Sequence, residues 1–213
     1  MRKRIIRFDY SQIYPAGDFA TYCKEYAESW GESYDIDRDN ERVVATIGQW
    51  AVGDRQFLGR ADRGIYLAGN TGTGKSWLME ILQAYCREKK MAVKIPGHDN
   101  LLPLYVHIFL ATDICDQYAK TGSIDNVKRL PILCVQDLGS EPRESQYMGN
   151  RLDVMRRLIE YRGEFKDKIT LFTSNIPLDK IAERYGDRVA SRLADMCTYI
   201  VLKGRDRRQN KAI

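Results

Sequence analysis

The chain is poor in the residues that build metal centres and disulfide frameworks. Its 213 residues include two histidines, His98 and His107, and five cysteines, Cys23, Cys86, Cys115, Cys134 and Cys197. No two cysteines form a CxxC pair and their number is odd, which excludes a zinc ribbon and a disulfide-stapled fold. Cys134 and Cys197 lie in apolar runs and read as small buried side chains. Long hydrophobic runs are missing as well. The longest, Leu101 to Ala111, is interrupted by Pro103 and His107 and falls well short of the ~20 residues that cross a bilayer. Behind Met1-Arg2-Lys3-Arg4 no apolar core leads to a small-residue cleavage site, so no secretion signal is expected. The chain reads as cytoplasmic, with no membrane partner.

With 44% hydrophobic and 30% charged residues, there is enough apolar material for a sizeable core and too much for a disordered chain. The length suits one α/β domain plus an appendage. A net charge of +5 is compatible with nucleic acid without being diagnostic of it. The excess sits at the ends. Arg2, Lys3, Arg4 and Arg7 open the chain, and Lys203, Arg205, Arg207, Arg208 and Lys211 close it. Solubility and phosphate contact explain such tails equally well.

No repeat or low-complexity tract stands out. Residues 1–17 read as irregular, with a turn at Tyr14-Pro15-Ala16-Gly17. Asp18 then caps a helix with Phe19, Tyr22, Cys23, Tyr26 and Trp30 on one face. Gly31 to Asn40 is polar and acidic, a plausible linker. A second amphipathic helix carries Val43, Val44, Ile47, Trp50 and Ala51 and ends at Gly53. From Gly64 the pattern changes to short apolar strands alternating with helices. Strands are expected at Ile65–Ala68, Tyr105–Ala111, Pro131–Val135, Ile169–Thr173 and Thr198–Leu202, with Ala92–Ile95 as an extra strand or part of an insertion. Helices are expected over Lys75–Lys89, from Thr112 or Asp113, and over Gly149–Tyr161. Continuous apolar strands separated by helices predict a parallel sheet covered on both faces.

The strongest motif is Gly69-Asn70-Thr71-Gly72-Thr73-Gly74-Lys75-Ser76, a match to G-x-x-x-x-G-K-[ST] placed after a strand and opening a helix. Glycines let the backbone curl so that successive N–H groups face a phosphate with no Cβ in the way. The helix beginning near Lys75 adds the positive end of its dipole. Lys75 is expected to bridge the β- and γ-phosphates of ATP, and Ser76 to hold Mg²⁺. The nucleotide-binding stretch runs from Gly69 through Trp77. An NTPase of this kind also needs an acid at the end of a neighbouring buried strand, and Ile132-Leu133-Cys134-Val135-Gln136-Asp137-Leu138-Gly139-Ser140-Glu141 is the good candidate.

Together, the glycine-rich loop, this QDLGSE segment, the Thr173-Ser174-Asn175 strand end and Arg188-Val189-Ala190-Ser191-Arg192-Leu193 resemble the DnaC/IstB-type AAA+ ATPases. These are loaders of replicative helicases and ATPase helpers of transposases. The resemblance spans about Val43 to Arg208. It implies a P-loop NTPase domain over residues 56–213, an AAA+ core without the C-terminal helical lid, preceded by a short helical extension over residues 1–55. One departure stands out. Family members carry two adjacent acids before the Leu-Gly, where this chain has Gln136 and Asp137. Asp137 would then serve the metal and leave the water-activating role weakly filled, so hydrolysis is expected to be slow. Glu141 either assists or is a solvated loop residue. The resemblance makes Asn175 a sensor of the γ-phosphate; the competing reading is that Ser174 or Asn175 caps a helix begun by Pro177. Arg192, and after it Arg188, would reach the ATP of the next subunit, or else form ordinary surface ion pairs. The Gly204-Arg205-Asp206-Arg207-Arg208 ending resembles the family's Gly-x-Asp-x-Arg, with Arg208 near nucleotide.

By the same resemblance, ATP-bound subunits assemble into a homo-oligomer, hold single-stranded DNA and deliver a replicative helicase or, in the runner-up, stimulate a transposase on duplex DNA. Candidate DNA contacts are Lys120, Lys128, Arg129, Arg143 and Arg151. A solvated charged face is the alternative for each. Tyr10, Tyr14, Tyr22, Tyr26, Trp30 and Tyr34 either dock another protein or pack on the ATPase core. Two further readings stay open: a scaffold that binds ATP without hydrolysing it, and a phosphotransferase acting on a small acceptor.

Overall fold

The computed structural model describes residues 4 to 207 and centres on a five-stranded parallel sheet. Arg2, Lys3, Arg208 and Lys211, flagged in the basic tails, lie outside the described residues. In chain order come β1 (Ile6–Arg7), α1 (Asp18–Ser29), α2 (Glu41–Val52), β2 (Gly64–Ala68) and α3 (Lys75–Glu88). Then follow β3 (Ala92–Lys94), β4 (Leu101–Pro103), β5 (His107–Leu110), α4 (Ala111–Thr121), α5 (Asp125–Arg129) and β6 (Ile132–Leu138). The last stretch holds β7 (Ser145–Tyr147), β8 (Asn150–Leu152), α6 (Val154–Glu164), β9 (Ile169–Ser174), a 3-10 turn at Leu178–Lys180, α7 (Ile181–Tyr185), α8 (Asp187–Met196) and β10 (Cys197–Val201).

The strand order is β10-β2-β9-β6-β5, every neighbouring pair parallel. Side chains of a strand alternate between faces, and both faces here are apolar. Ile65 and Leu67 join one buried cluster with α1, α2 and α3, while Tyr66 and Ala68 join another with α4, α6, α7 and α8. That two-sided burial is why these strands read as unbroken apolar runs. The expected parallel sheet with helices on both faces is what the chain forms.

The segment before residue 18 is more ordered than its sequence suggested. β1 pairs antiparallel with β3, which pairs with β4, making a small separate sheet. Arg7 is not a solvated tail residue. Its guanidinium donates to the carbonyls of Ala61, Trp50 and Ala51 at 3.1, 2.8 and 2.8 Å and lies 4.4 Å from the centre of the Trp50 ring. Two of these carbonyls lie in the last turn of α2, where Trp50 O also accepts the Gly53 N–H at 3.1 Å, and burial lowers the Arg7 pKa to about 10. Arg4 pairs with Asp62.

α1 and α2 pack against the sheet in one continuous core. Phe19 and Tyr22 meet Tyr85 of α3 edge-on, with ring centres 5.2 and 5.1 Å apart. Tyr10, Tyr14, Tyr26 and Tyr34 also pack partly buried against that core. Trp30, expected on the same face, lies beyond the end of α1 and is 70% exposed.

A second difference concerns Gly149 to Tyr161. Its first residues belong to a hairpin, supplying part of the turn and the strand β8 that pairs with β7, and the helix begins only at Val154. Met148 and Gly149 have φ of 46° and 84°, the left-handed pair that a two-residue hairpin turn requires. Asp153 then caps α6, its carboxylate accepting the Arg156 N–H at 2.9 Å. Leu152, Met155, Leu158 and Ile159 suit a helical face, and that spacing hid the boundary.

Candidate nucleotide-binding site

β2 ends at Ala68, and the chain curls through Gly69 to Gly74 into the 14-residue α3. Gly72 and Gly74 have φ of 77° and 95°, a region that side chains adopt only with strain. At Gly72 the space is closed too, since a Cβ would stand 1.9 Å from an Asp206 carboxylate oxygen. The loop therefore presents bare backbone at the positive end of a helix.

Lys75 is buried at the base of this loop. Its ammonium donates to the Gly69 and Asn70 carbonyls, both at 2.8 Å, and to Asn175 Oδ1 at 2.7 Å. The Asn175 amide in turn donates to Thr71 Oγ1 at 3.3 Å, and Thr73 Oγ1 donates to the Asn70 carbonyl at 2.9 Å. Gly69 and Asn70 thus take part by holding the lysine, while Thr71 through Trp77 line an adjoining cavity of about 550 Å³. That volume lies within the range of small-molecule sites.

The opposite wall answers the question raised by Gln136. The pairing of β6 with β9 shifts register between Val135 and Leu138. This bulge puts Asp137 in left-handed backbone, φ 55°, its N–H donating to Thr173 Oγ1 at 2.9 Å. Asp137 lines the cavity together with Ser76, whereas Gln136 does not. The Gln136 amide donates to the Ser76 carbonyl at 3.1 Å, inside the protein. Neither reading of Glu141 holds. It is buried, accepts the Gly139 N–H at 2.8 Å and the Tyr185 hydroxyl at 2.5 Å, and pairs with Arg184 at 3.3 Å. It braces the loop after β6. Ser174 Oγ accepts the Ile176 N–H at 3.0 Å, so the local turn falls to Ser174 and leaves Asn175 to the cavity.

The third wall comes from the segment read as a linker. Ser33, Tyr34, Asp35, Asp37 and Asn40 line the cavity together with Arg205 and Arg207. Asn40 shapes this segment, donating to the Asp35 carbonyl and accepting the Asp37 N–H, both at 2.8 Å. The chain after β10 crosses the phosphate loop, where the Arg207 N–H reaches the Gly72 carbonyl at 2.9 Å. The Arg207 guanidinium then grips both oxygens of Asp37 at 2.9 Å. This hydrogen bond is the chief reason the Asp37 carboxyl sits below the usual carboxylate range. Two ends of the chain 170 residues apart close over one cavity. No spacing pattern marks these residues in the sequence; their polarity suits a solvated linker and a polar wall alike.

Arg192 and Arg188 stand away from this cavity, on α8. Arg192 packs on Gly163 and lies 3.9 Å from Glu164; Arg188 is 62% exposed, beside Glu160 and Glu164. Of the basic residues singled out for DNA, Lys120, Arg129, Arg143 and Arg151 are exposed. Lys128 pairs with Asp125 at 2.6 Å and covers the Tyr161 ring. Among the described residues no group of three or more His, Cys, Asp or Glu side chains could hold a metal, and no helix is long and apolar enough to cross a membrane.

A parallel sheet with a glycine-rich loop running from its second-placed strand into a helix, a buried lysine and an acid on the neighbouring wall defines a P-loop nucleotide-binding fold. Solved structures specify the variety. One is a putative primosome component from Streptococcus pyogenes serotype M3, 21% identical over 80% of this chain and 83% of that one, with a TM-score of 0.58. Another is the DnaC helicase loader, 21% identical over 80% of this chain and 93% of its own, TM-score 0.56. AMPPCP-bound DnaA from Aquifex aeolicus matches at 15% identity over 79% of this chain and 48% of that one, TM-score 0.52. The chain shares its fold with these proteins. No protein-family profile and no curated sequence matches the chain.

Proposed function

We propose that this chain binds ATP with Mg²⁺ and acts in DNA replication as an ATPase that helps load a replicative helicase onto single-stranded DNA. The observation that carries the nucleotide reading is the Lys75 ammonium, held by the Gly69 and Asn70 carbonyls and Asn175 at the base of an open, polar cavity. A bare-backbone loop, a helix N-terminus and a buried cation favour a polyphosphate. Ser76 and Asp137 line the cavity together and fit Mg²⁺, which binds through one or two protein oxygens plus phosphate. When bound, that ion neutralises charge on the phosphate oxygens. Lys75 and the loop amides orient the triphosphate, Asn175 positions water beside it, and Tyr34 with the Asp35–Asn40 segment walls the remaining space. Gln136, turned inward, gives the adjacent position no carboxylate with which to draw a proton from water, which supports slow hydrolysis.

The replication role draws on likeness to a helicase loader and a primosome component. In this reading subunits assemble on ATP, Arg192 or Arg188 reaches the neighbouring subunit's nucleotide, and Lys120, Arg129, Arg143 and Arg151 contact DNA phosphates. Titration with a fluorescent ATP analogue tests the first part, with Lys75→Ala losing retention. ATP-dependent capture of a replicative helicase, and single-strand affinity that falls steeply with salt, test the second. Capture of a transposase on duplex DNA would replace the loader by a transposition helper. Gln136 favours one further reading, an ATP-gated scaffold that bridges DNA to a partner without turnover.

A further inference from the structure

A second cavity, of about 380 Å³, adjoins the first. It is lined by Tyr26, Trp30, Glu32, Trp77 and Glu80. Three aromatic rings and two carboxylates make up its wall, in a chain whose net charge is +5. The Trp30 ring is the most exposed aromatic surface among the described core-sized side chains, and it leans on Tyr26 with ring centres 6.3 Å apart. Of the eight aromatics before residue 35, Tyr26 and Trp30 line this opening, and Tyr26 also packs on the core. Trp77 forms the partition, since it lines both cavities and its ring lies 5.4 Å from that of Tyr34.

An aromatic face attracts a cation through its quadrupole, and carboxylates beside it supply the counter-charge. A planar guanidinium stacks on such rings and pairs with carboxylates in a fork, which an ammonium does less well. The Glu80 carboxyl is pushed above its ordinary value by partial desolvation, against a hydrogen bond from Gln136, so a neighbouring cation would stabilise its charged form. We propose that this cavity is a docking site for an arginine side chain on a partner protein, seated between Trp30 and Trp77 and paired with Glu32 and Glu80.

The site also touches the nucleotide side. Gln136 links Glu80 to the Ser76 carbonyl, and Trp77 follows Ser76 in the chain, so an arginine seated here bears on both elements of the phosphate loop. Only this coupling rests on the ATP reading; the docking itself does not.

The test uses the full chain without nucleotide and N-acetyl-arginine amide as the probe, followed by tryptophan fluorescence. Saturable quenching at millimolar probe is expected, weaker by on the order of threefold or more with N-acetyl-lysine amide and absent with the norleucine analogue. Glu32→Gln together with Glu80→Gln should weaken it by on the order of tenfold, a change of ~1.4 kcal/mol. Trp30→Ala, read by NMR shifts of the Trp77 indole, should do the same while circular dichroism stays unchanged. Equal response to the three probes, or to the parent and the double glutamine variant, overturns the proposal. Repeating the titration with ATP present separates the two readings. A chain that binds the arginine probe but no ATP keeps the docking site and loses the nucleotide function; one that binds ATP and not the probe does the reverse.

Discussion

The Lys75 ammonium lies 2.7 Å from the side-chain oxygen of Asn175, a residue 100 positions further along the chain. The parallel pairing of β2 with β9 brings them together by placing Ala68 beside Ser174, so the residues that follow each strand emerge at the same edge of the sheet. Ligand sites of open parallel sheets form at these carboxyl ends. The two residues should nonetheless respond differently to loss.

Lys75→Ala removes the buried cation and should weaken ATP binding by on the order of a hundredfold, the scale of a charge-assisted contact to phosphate. Asn175→Ala should change affinity by no more than about threefold while slowing single-turnover hydrolysis at least tenfold, as expected of a group that positions water. Equal losses of affinity in both would make Asn175 a simple brace for the lysine.

Gln136→Asp restores a carboxylate beside Asp137. If the missing charge limits turnover, single-turnover hydrolysis should rise by on the order of tenfold or more. The competing expectation is also physical: Gln136 is buried and donates to the Ser76 carbonyl, and an aspartate cannot. A rate no different from the parent's means that the inward-turned position never addresses water.

The Arg207–Asp37 pair joins the C-terminal strap to the 31–40 segment across the cavity mouth. Asp37→Asn and Arg207→Ala should each speed dissociation of a fluorescent nucleotide by several-fold, and the double variant should add little beyond either alone. Acid should act like Asp37→Asn. The Asp37 carboxyl is depressed in the folded chain, so the clasp's contribution is complete above the unfolded value of about 4 and is lost as pH falls through the lower folded one. Nucleotide release that is indifferent to pH below 4 and to both substitutions would show the clasp to be ornamental.

Arg162 is a matter of stability. Fully buried, it donates to Thr170 Oγ1 at 2.7 Å and to the carbonyls of Lys128, Leu130 and Ile169 at 3.0, 2.7 and 2.8 Å, and burial lowers its pKa to about 9. It ties α6 to the end of α5, just before β6, and to the start of β9. Arg162→Met keeps the stem but leaves three carbonyls without that donor, so urea unfolding should show a loss of about 3–5 kcal/mol. A loss under ~1 kcal/mol would mean that water replaces the guanidinium.

Arg188→Ala and Arg192→Ala distinguish the two arginines on α8. Neither lines the cavity of its own subunit, so nucleotide affinity of the monomer should stay within about twofold in both. Arg192 packs its stem on Gly163, and its loss should also cost stability. If ATP turnover depends on assembly, the arginine that serves it will abolish that dependence when replaced.

Much of the site was readable from order along the chain. The phosphate loop is a local device: six backbone positions, a lysine and a hydroxyl do their work within one strand-to-helix turn, and glycine spacing encodes it directly. The strands of the sheet were readable for a related reason, since burial on two faces writes itself as an unbroken apolar run. The hairpin at Met148-Gly149 was not, because the apolar spacing of the following helix continues backward through it.

What tertiary structure alone decided is whatever depends on which way a side chain turns and what meets it from afar. Gln136 and Asp137 are adjacent and both polar; a bulge in the pairing with β9 sends one inward and the other into the cavity. Glu141 became a brace because Tyr185 and Arg184 arrive beside it. Arg7 became a brace because the carbonyls of Trp50, Ala51 and Ala61 converge on its guanidinium. The acidic segment before α2 became a wall because Arg207 reaches it across the phosphate loop. Composition states that such residues are polar, but their partners are set by strand order and register, which long-range packing chooses.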